Sequence, residues 1–222
     1  MATHLDLQEQ EQLDQLKHFW KQYGNLITWT LILALGAFAA WNGWQQWQRK
    51  QAVEASALFD EVERAAQAGD ADRAQRAFAD IKERYPRTAY AAQAGLLAAS
   101  TLQAKAKDEA GRAALQWVAE QAKQEEYKAL ARLRLAGLLI DSGSHDEALK
   151  LLENMPPAFE GLAADRRGDA LMAKGDKAGA QAQYEKAYKA IPESQDLRQL
   201  VLAKLTALGA PPAPEAAASA AR

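Results

Sequence analysis

The sequence predicts an all-α protein: a single N-terminal transmembrane helix followed by a solenoid of helical hairpins. Three observations predict it. Residues 22–48 carry no charged side chain. Beyond residue 50 alanine is abundant and β-branched residues are sparse, a composition that favours helices. In that same region small, apolar and proline landmarks recur at fixed spacing, the mark of stacked repeats.

Residues 1–24 hold Leu5, Leu13, Leu16, Phe19 and Trp20 among Gln, Glu and Asp, a spacing that suggests a short amphipathic helix or a polar tail leading into the apolar run. The run Leu26–Trp41 is almost wholly apolar, and the stretch assigned to the membrane is 25–47. Roughly 20 helical residues span a hydrocarbon core of ~30 Å. Trp20 and Tyr23 precede the run and Trp41, Trp44 and Trp47 follow it, as interfacial side chains with an apolar body and one polar atom do. A cleaved signal peptide fits less well: 25 residues precede the run, four acids against two lysines among the first 24, and bulky tryptophans follow Ala37-Phe38-Ala39. Lys17 and Lys21 on one side balance Arg49 and Lys50 on the other, so charge leaves the orientation open. Gly36, Ala39, Ala40 and Gly43 are small residues at helical spacing, where another membrane helix could approach closely.

The clearest repeat lies within Ala164–Pro192. Gly168, Leu171, Gly175, Ala180, Tyr184, Ala187 and Pro192 match the landmarks of a 34-residue tetratricopeptide repeat, in which small residues let two antiparallel helices touch. Val62, Ala65, Gly69, Ala74, Phe78, Ile81 and Pro86 repeat the same spacing in register. Gly137, Ile140, Gly143, Ala148, Leu152 and Met155 do so with the turn one residue shorter, and Pro156-Pro157 is expected to cut that second helix short. Thr88–Lys107 and Asp108–Lys123 supply another helix pair, with Gly95, Ala113 and Trp117 as its degenerate landmarks. A last helix, Gln195–Leu208, carries Leu197, Leu200, Val201, Leu205 and Leu208 on one apolar face interrupted by Lys204, which suits a solenoid cap. The repeat domain is therefore assigned to 48–209, and the Pro/Ala-rich 210–222 to a disordered tail.

No catalytic constellation assembles, and the chain is expected to be no enzyme, with no metal and no cofactor. His4, His18 and His145 are far apart in sequence, and paired acids such as Asp108-Glu109 and Glu125-Glu126 stand where helices should start. From residue 49 onward cations and acids balance at 25 each, which argues against a nucleic-acid partner. The absence of cysteine removes disulfides and thiolate metal sites. What remains is surface. The first helices of such an array line a concave groove, and repeat geometry places Arg134, Leu138 and Asp141 of one unit and Leu162, Asp165, Asp169 and Met172 of the next along it.

The layout resembles the YfgM-type ancillary subunit of the bacterial Sec translocon over about residues 10–208. The resemblance is carried by Leu130–Tyr188, and most specifically by Asp165, Arg167, Gly168, Ala170, Leu171, Lys174, Gly175, Asp176, Lys177, Gly179 and Ala180. The resemblance implies a single-pass inner-membrane protein with the tail 1–24 in the cytoplasm and the solenoid in the periplasm. It further implies association with SecYEG, a PpiD-type membrane-anchored periplasmic chaperone as partner, and contact with secretory polypeptides emerging from the channel. A tetratricopeptide adaptor for another envelope complex would share fold and topology and differ only in partner.

Overall fold

A computed structural model describes residues 7–192 and 196–211, and among these every regular element is helical. The first six residues and nearly all of the expected Pro/Ala tail lie outside the described residues. The chain forms two compact units, Met1–Gln51 and Ala52–Arg222.

Helix α1 spans Leu7–Gln67 and contributes to both units. It begins at Leu7 and passes residues 24 and 47 without interruption, so the compositional borders drawn from the sequence are not helix ends. It also holds the one segment among the described residues long and apolar enough to cross a bilayer. Large side chains there face outward: Trp29 is 59% exposed, Leu33 69% and Phe38 67%. Such a surface is unfavourable in water and suited to hydrocarbon. Polar groups in the run turn inward on the helix. The Thr28 hydroxyl donates to the Gly24 carbonyl at 2.7 Å, Thr30 to Leu26 at 2.8 Å, and the Asn42 amide to Phe38 at 3.0 Å. Each bond satisfies a donor that lipid could not.

In the second unit, the end of α1 is tied to α2 (Ala71–Arg84) by the Arg73 guanidinium donating to Glu61, and the Asp70 carboxylate accepts from the Arg73 amide and opens α2. Next come α3 (Ala89–Gln103), with Thr88 as its N-cap, and α4 (Asp108–Gln121). Then follow α5 (Glu125–Asp141) and α6 (His145–Leu151). A 3₁₀ turn at Pro157–Phe159 leads into α7 (Glu160–Ala173), which pairs with α8 (Lys177–Ala190); α9 (Asp196–Ala207) closes the array. The paired acids foreseen as helix starts do open α4 and α5, beside the positive end of the helix dipole. Gly175, one of the repeat landmarks, sits at φ +84°, and Asp176 then caps α8 by accepting from the Gly179 amide, which makes the turn between α7 and α8. From α2 onward, neighbours in the chain pack in sequence, and α5 also touches α3 and α7, which sets the first helices side by side.

The core is built mainly of alanine and leucine. One cluster runs from Ala55 to Ala170 and a second gathers Ala164, Tyr184, Ile191, Val201 and Leu205. Close approach explains the small residues: a Cβ at Gly168 would fall 2.4 Å from the Tyr184 ring, and one at Gly95 2.4 Å from Val118. Three landmarks need correction. Ala113 is exposed, whereas buried Gly111 faces the Ala99 carbonyl, because the turn 104–107 before α4 is a residue longer than the turn 174–176 before α8 and moves the α4 register. Gly137 has no neighbour within 4 Å of a Cβ, because α6 is only seven residues long. Leu200 is 52% exposed and lies off the buried stripe of α9, which is formed by Val201 and Leu205.

Candidate partner-binding surface

The first helices α5 and α7 carry the residues foreseen for the groove. Arg134 is exposed and reaches across to α3, where its Nη1 donates to the Leu96 carbonyl at 3.1 Å. Leu138 and Leu162 are half-buried against the first core cluster, Met172 against the second, and Asp141 is exposed at the end of α5. This row therefore presents apolar surface with an accessible cation and an accessible carboxylate.

Asp165 and Asp169 have a different setting. They stand one turn apart on α7, and Lys204 of α9 reaches both, 2.7 Å from Asp165 Oδ1 and 2.6 Å from Asp169 Oδ1. The Tyr184 hydroxyl donates to Asp169 Oδ1 at 2.8 Å, and Arg166 stands 3.4 Å from its other oxygen. Asp165 is only 4% exposed. Burial pushes its carboxyl above the ordinary aspartate value, and Lys204 pulls against that rise without cancelling it. Burial, and then the hydrogen bond to Asp169, pushes the Tyr184 hydroxyl well above the ordinary tyrosine value, so it stays a donor. The lysine that interrupts the apolar stripe of α9 is thus the counter-ion of two carboxylates on α7. That link was hinted at in the sequence by one cation in an apolar face and two acids four residues apart.

A second group went unforeseen. Arg167 is largely buried and donates to three partners: the Leu152 carbonyl (2.9 Å), Gln183 (3.0 Å) and Glu160. The Leu152 carbonyl lies just past the last turn of α6, so Arg167 satisfies a group that the short helix leaves without an intrahelical partner. Burial pushes Glu160 upward, but hydrogen bonds from Lys186 and Arg167 outweigh it and hold the carboxyl below the usual glutamate value.

In the first unit Gly36, Ala39, Ala40 and Gly43 are exposed, and a Cβ at Gly36 or Gly43 would meet nothing within 4 Å. His18 lies on this helix, His145 opens α6 with its Nδ1 buried and unpartnered, and His4 is outside the described residues.

Residues 17–210 match the family model of the tetratricopeptide repeat-like domain. The chain is similar to a protein of Neisseria gonorrhoeae named ancillary SecYEG translocon subunit, 31% identical over 210 residues, which cover 94% of this chain and all of the relative. It is similar to proteins of the same name from Escherichia coli K12, 29% identical over 89% of this chain and 97% of the relative, and from Haemophilus influenzae, 30% identical over 91% and 98%.

Proposed function

The chain belongs to the tetratricopeptide repeat-like domain family, and from that premise we propose that it is a membrane-anchored, non-catalytic subunit of the Sec translocon. The observation that carries this reading is similarity along nearly the whole chain to proteins named ancillary SecYEG translocon subunit, span and repeats together. The exposed apolar surface of α1 supports the anchor. In the proposed topology residues 1–24 are cytoplasmic, 25–47 cross the inner membrane, and the repeat domain 48–209 is periplasmic.

The anchor's role follows from mass action. A helix fixed beside the channel raises the local concentration of the repeat surface near emerging chains, so weak contacts suffice. In this reading Arg134, Leu138, Asp141, Leu162 and Met172 present apolar and paired polar contacts to secretory polypeptides, or to a PpiD-type chaperone that takes them onward. Asp165 and Asp169 contribute shape rather than free charge, since Lys204 holds them. The small-residue face Gly36, Ala39, Ala40 and Gly43 is the proposed contact with the translocon's own helices.

In-membrane photo-crosslinking with probes at Gly43 and at Asp141 tests the reading. Products joining position 43 to SecY, SecE or SecG, and position 141 to nascent chains or a periplasmic chaperone, are expected. Products with a different envelope complex and none with the translocon would keep the fold and discard the function.

A further inference from the structure

The turn between α2 and α3 lies at the end of the repeat unit where α1 enters it. The Tyr85 hydroxyl, just past α2, donates to Glu54 of α1 at 2.9 Å. Tyr90 in the first turn of α3 lies against Phe59 of α1, with ring centroids 5.8 Å apart. At the opposite end Lys107, before α4, meets Asp72 in the first turn of α2 at 2.6 Å. Along the chain, Glu54 comes about two helical turns after Trp47, the last tryptophan of the assigned span, in the uninterrupted α1. The turn itself is closed by Thr88, whose amide and hydroxyl both donate to the Tyr85 carbonyl, at 3.1 and 2.8 Å.

Charge is shared unevenly among the connections that lead from a second helix to the next first helix. The stretch 82–88 holds Lys82, Arg84 and Arg87 against Glu83. The stretch 121–126 holds Lys123 against Glu125 and Glu126, and 152–160 holds Glu153 and Glu160 with no cation. The positive connection is thus the one beside α1. Arg84 and Arg87 are exposed, and neither has a carboxylate partner among the described residues. Lys82 lies over the Phe78 ring, 5.8 Å from its centroid. Of the nearby acids, Glu54 accepts from Tyr85, and Asp80 stands a turn back along α2. Two guanidinium groups, each a fork of donors matched to phosphate, are therefore presented on a closed turn with their capacity unspent.

We propose that this turn rests on the anionic phospholipid headgroups of the membrane that α1 crosses, with Arg84 and Arg87 set against lipid phosphates. The inference rests on the membrane-span part of the proposed function, and on neither its orientation nor the Sec assignment. Two cations make a weak site in free solution. Joined to a span they act at high effective concentration, so few charges suffice. An anionic leaflet attracts basic side chains held within about a Debye length of its surface. The contact limits how the repeat unit turns about its anchor, and so which way its first helices face.

The test uses the full chain, which contains no cysteine, reconstituted alone in vesicles of phosphatidylcholine or of phosphatidylcholine mixed with phosphatidylglycerol. A fluorophore on Pro86→Cys is quenched by headgroup-nitroxide lipid. Lys105→Cys, in the turn between α3 and α4, is the control at the other end of the unit. Leu35→Cys, read with acyl-chain nitroxide lipid, reports the span. Position 86 should be quenched about threefold more in the anionic vesicles than in the neutral ones, and position 105 in neither. R84E with R87E should remove that gain, as should salt near 1 M, where the Debye length is about 3 Å. Replacing phosphatidylglycerol by a cationic lipid should restore quenching in the reversed variant, a rescue that misfolding would not give. The proposal is overturned by equal quenching at position 86 in neutral and anionic vesicles, by insensitivity to charge reversal, by failure of the rescue, or by equal quenching at position 105. Quenching at position 35 without quenching at 86 overturns this proposal alone, whereas none at position 35 overturns the span and this proposal with it.

Discussion

At the residue scale, the same repeat landmark has opposite consequences in neighbouring units. Gly168 lies under the Tyr184 ring, which is buried and held by Asp169, so the ring cannot yield to a methyl group. Gly168→Ala should cost about 1–3 kcal/mol as overpacking. Gly137 faces open space in a helix, and Gly137→Ala should raise stability by about 0.5–1 kcal/mol through helix propensity. Urea denaturation followed by circular dichroism reads both, and equal signs would contradict the packing account. Lys204 makes a sharper case. Lys204→Met leaves Asp165 buried beside Asp169 without its counter-ion and should cost about 3 kcal/mol at neutral pH. Asp165 already titrates above the ordinary value, and losing the lysine lifts it further. The folded variant then holds its proton more tightly than the unfolded chain does. Its deficit is therefore full above the raised folded pKa and shrinks as pH falls through that value toward the unfolded one. A deficit unchanged between neutral and mildly acid pH would argue against a buried carboxylate as the cause.

At the scale of the element, α6 is the exception in the array. A helix of seven residues has little stability of its own, so its last turn depends on what closes it. Arg167 supplies that closure from α7 while also binding Gln183 and Glu160. The ammonium of lysine is a compact point charge that cannot span three partners lying in different directions. Arg167→Lys should therefore cost about 2 kcal/mol. Amide hydrogen exchange should accelerate first around Leu152–Met155; exchange unchanged there would mean that the Leu152 carbonyl is satisfied without the guanidinium.

At the scale of the whole chain, anchor and repeats make separate demands on their surroundings. The apolar side chains of the first unit are outward and exposed, while the second unit buries its alanines and leucines in its own core. The proposed topology is directly testable because the sequence contains no cysteine. With a membrane-impermeant maleimide applied from the periplasmic side, Ala158→Cys should label and Gln15→Cys should label only after the membrane is opened. The reverse pattern would invert the proposed orientation without touching the fold.

Much of this protein was legible before any tertiary contact was known, because the relevant signals are local. An uncharged run announces a helix that suits lipid. The paired acids Asp108-Glu109 and Glu125-Glu126 do open α4 and α5, and Gly175, a repeat landmark, takes a left-handed conformation that glycine favours. Spacings of three to five residues fix which side chains share a face, so the array of hairpins followed from the chain itself. The remainder is set by partners distant in sequence. Lys204 joins residues 39 and 35 positions away, and whether Asp165 is a groove carboxylate or a buried ion depends on that meeting. Likewise the α4 register and the empty space at Gly137 depend on where a neighbouring helix begins and ends. Periodicity along one helix carries no record of that, because it is a property of two helices at once.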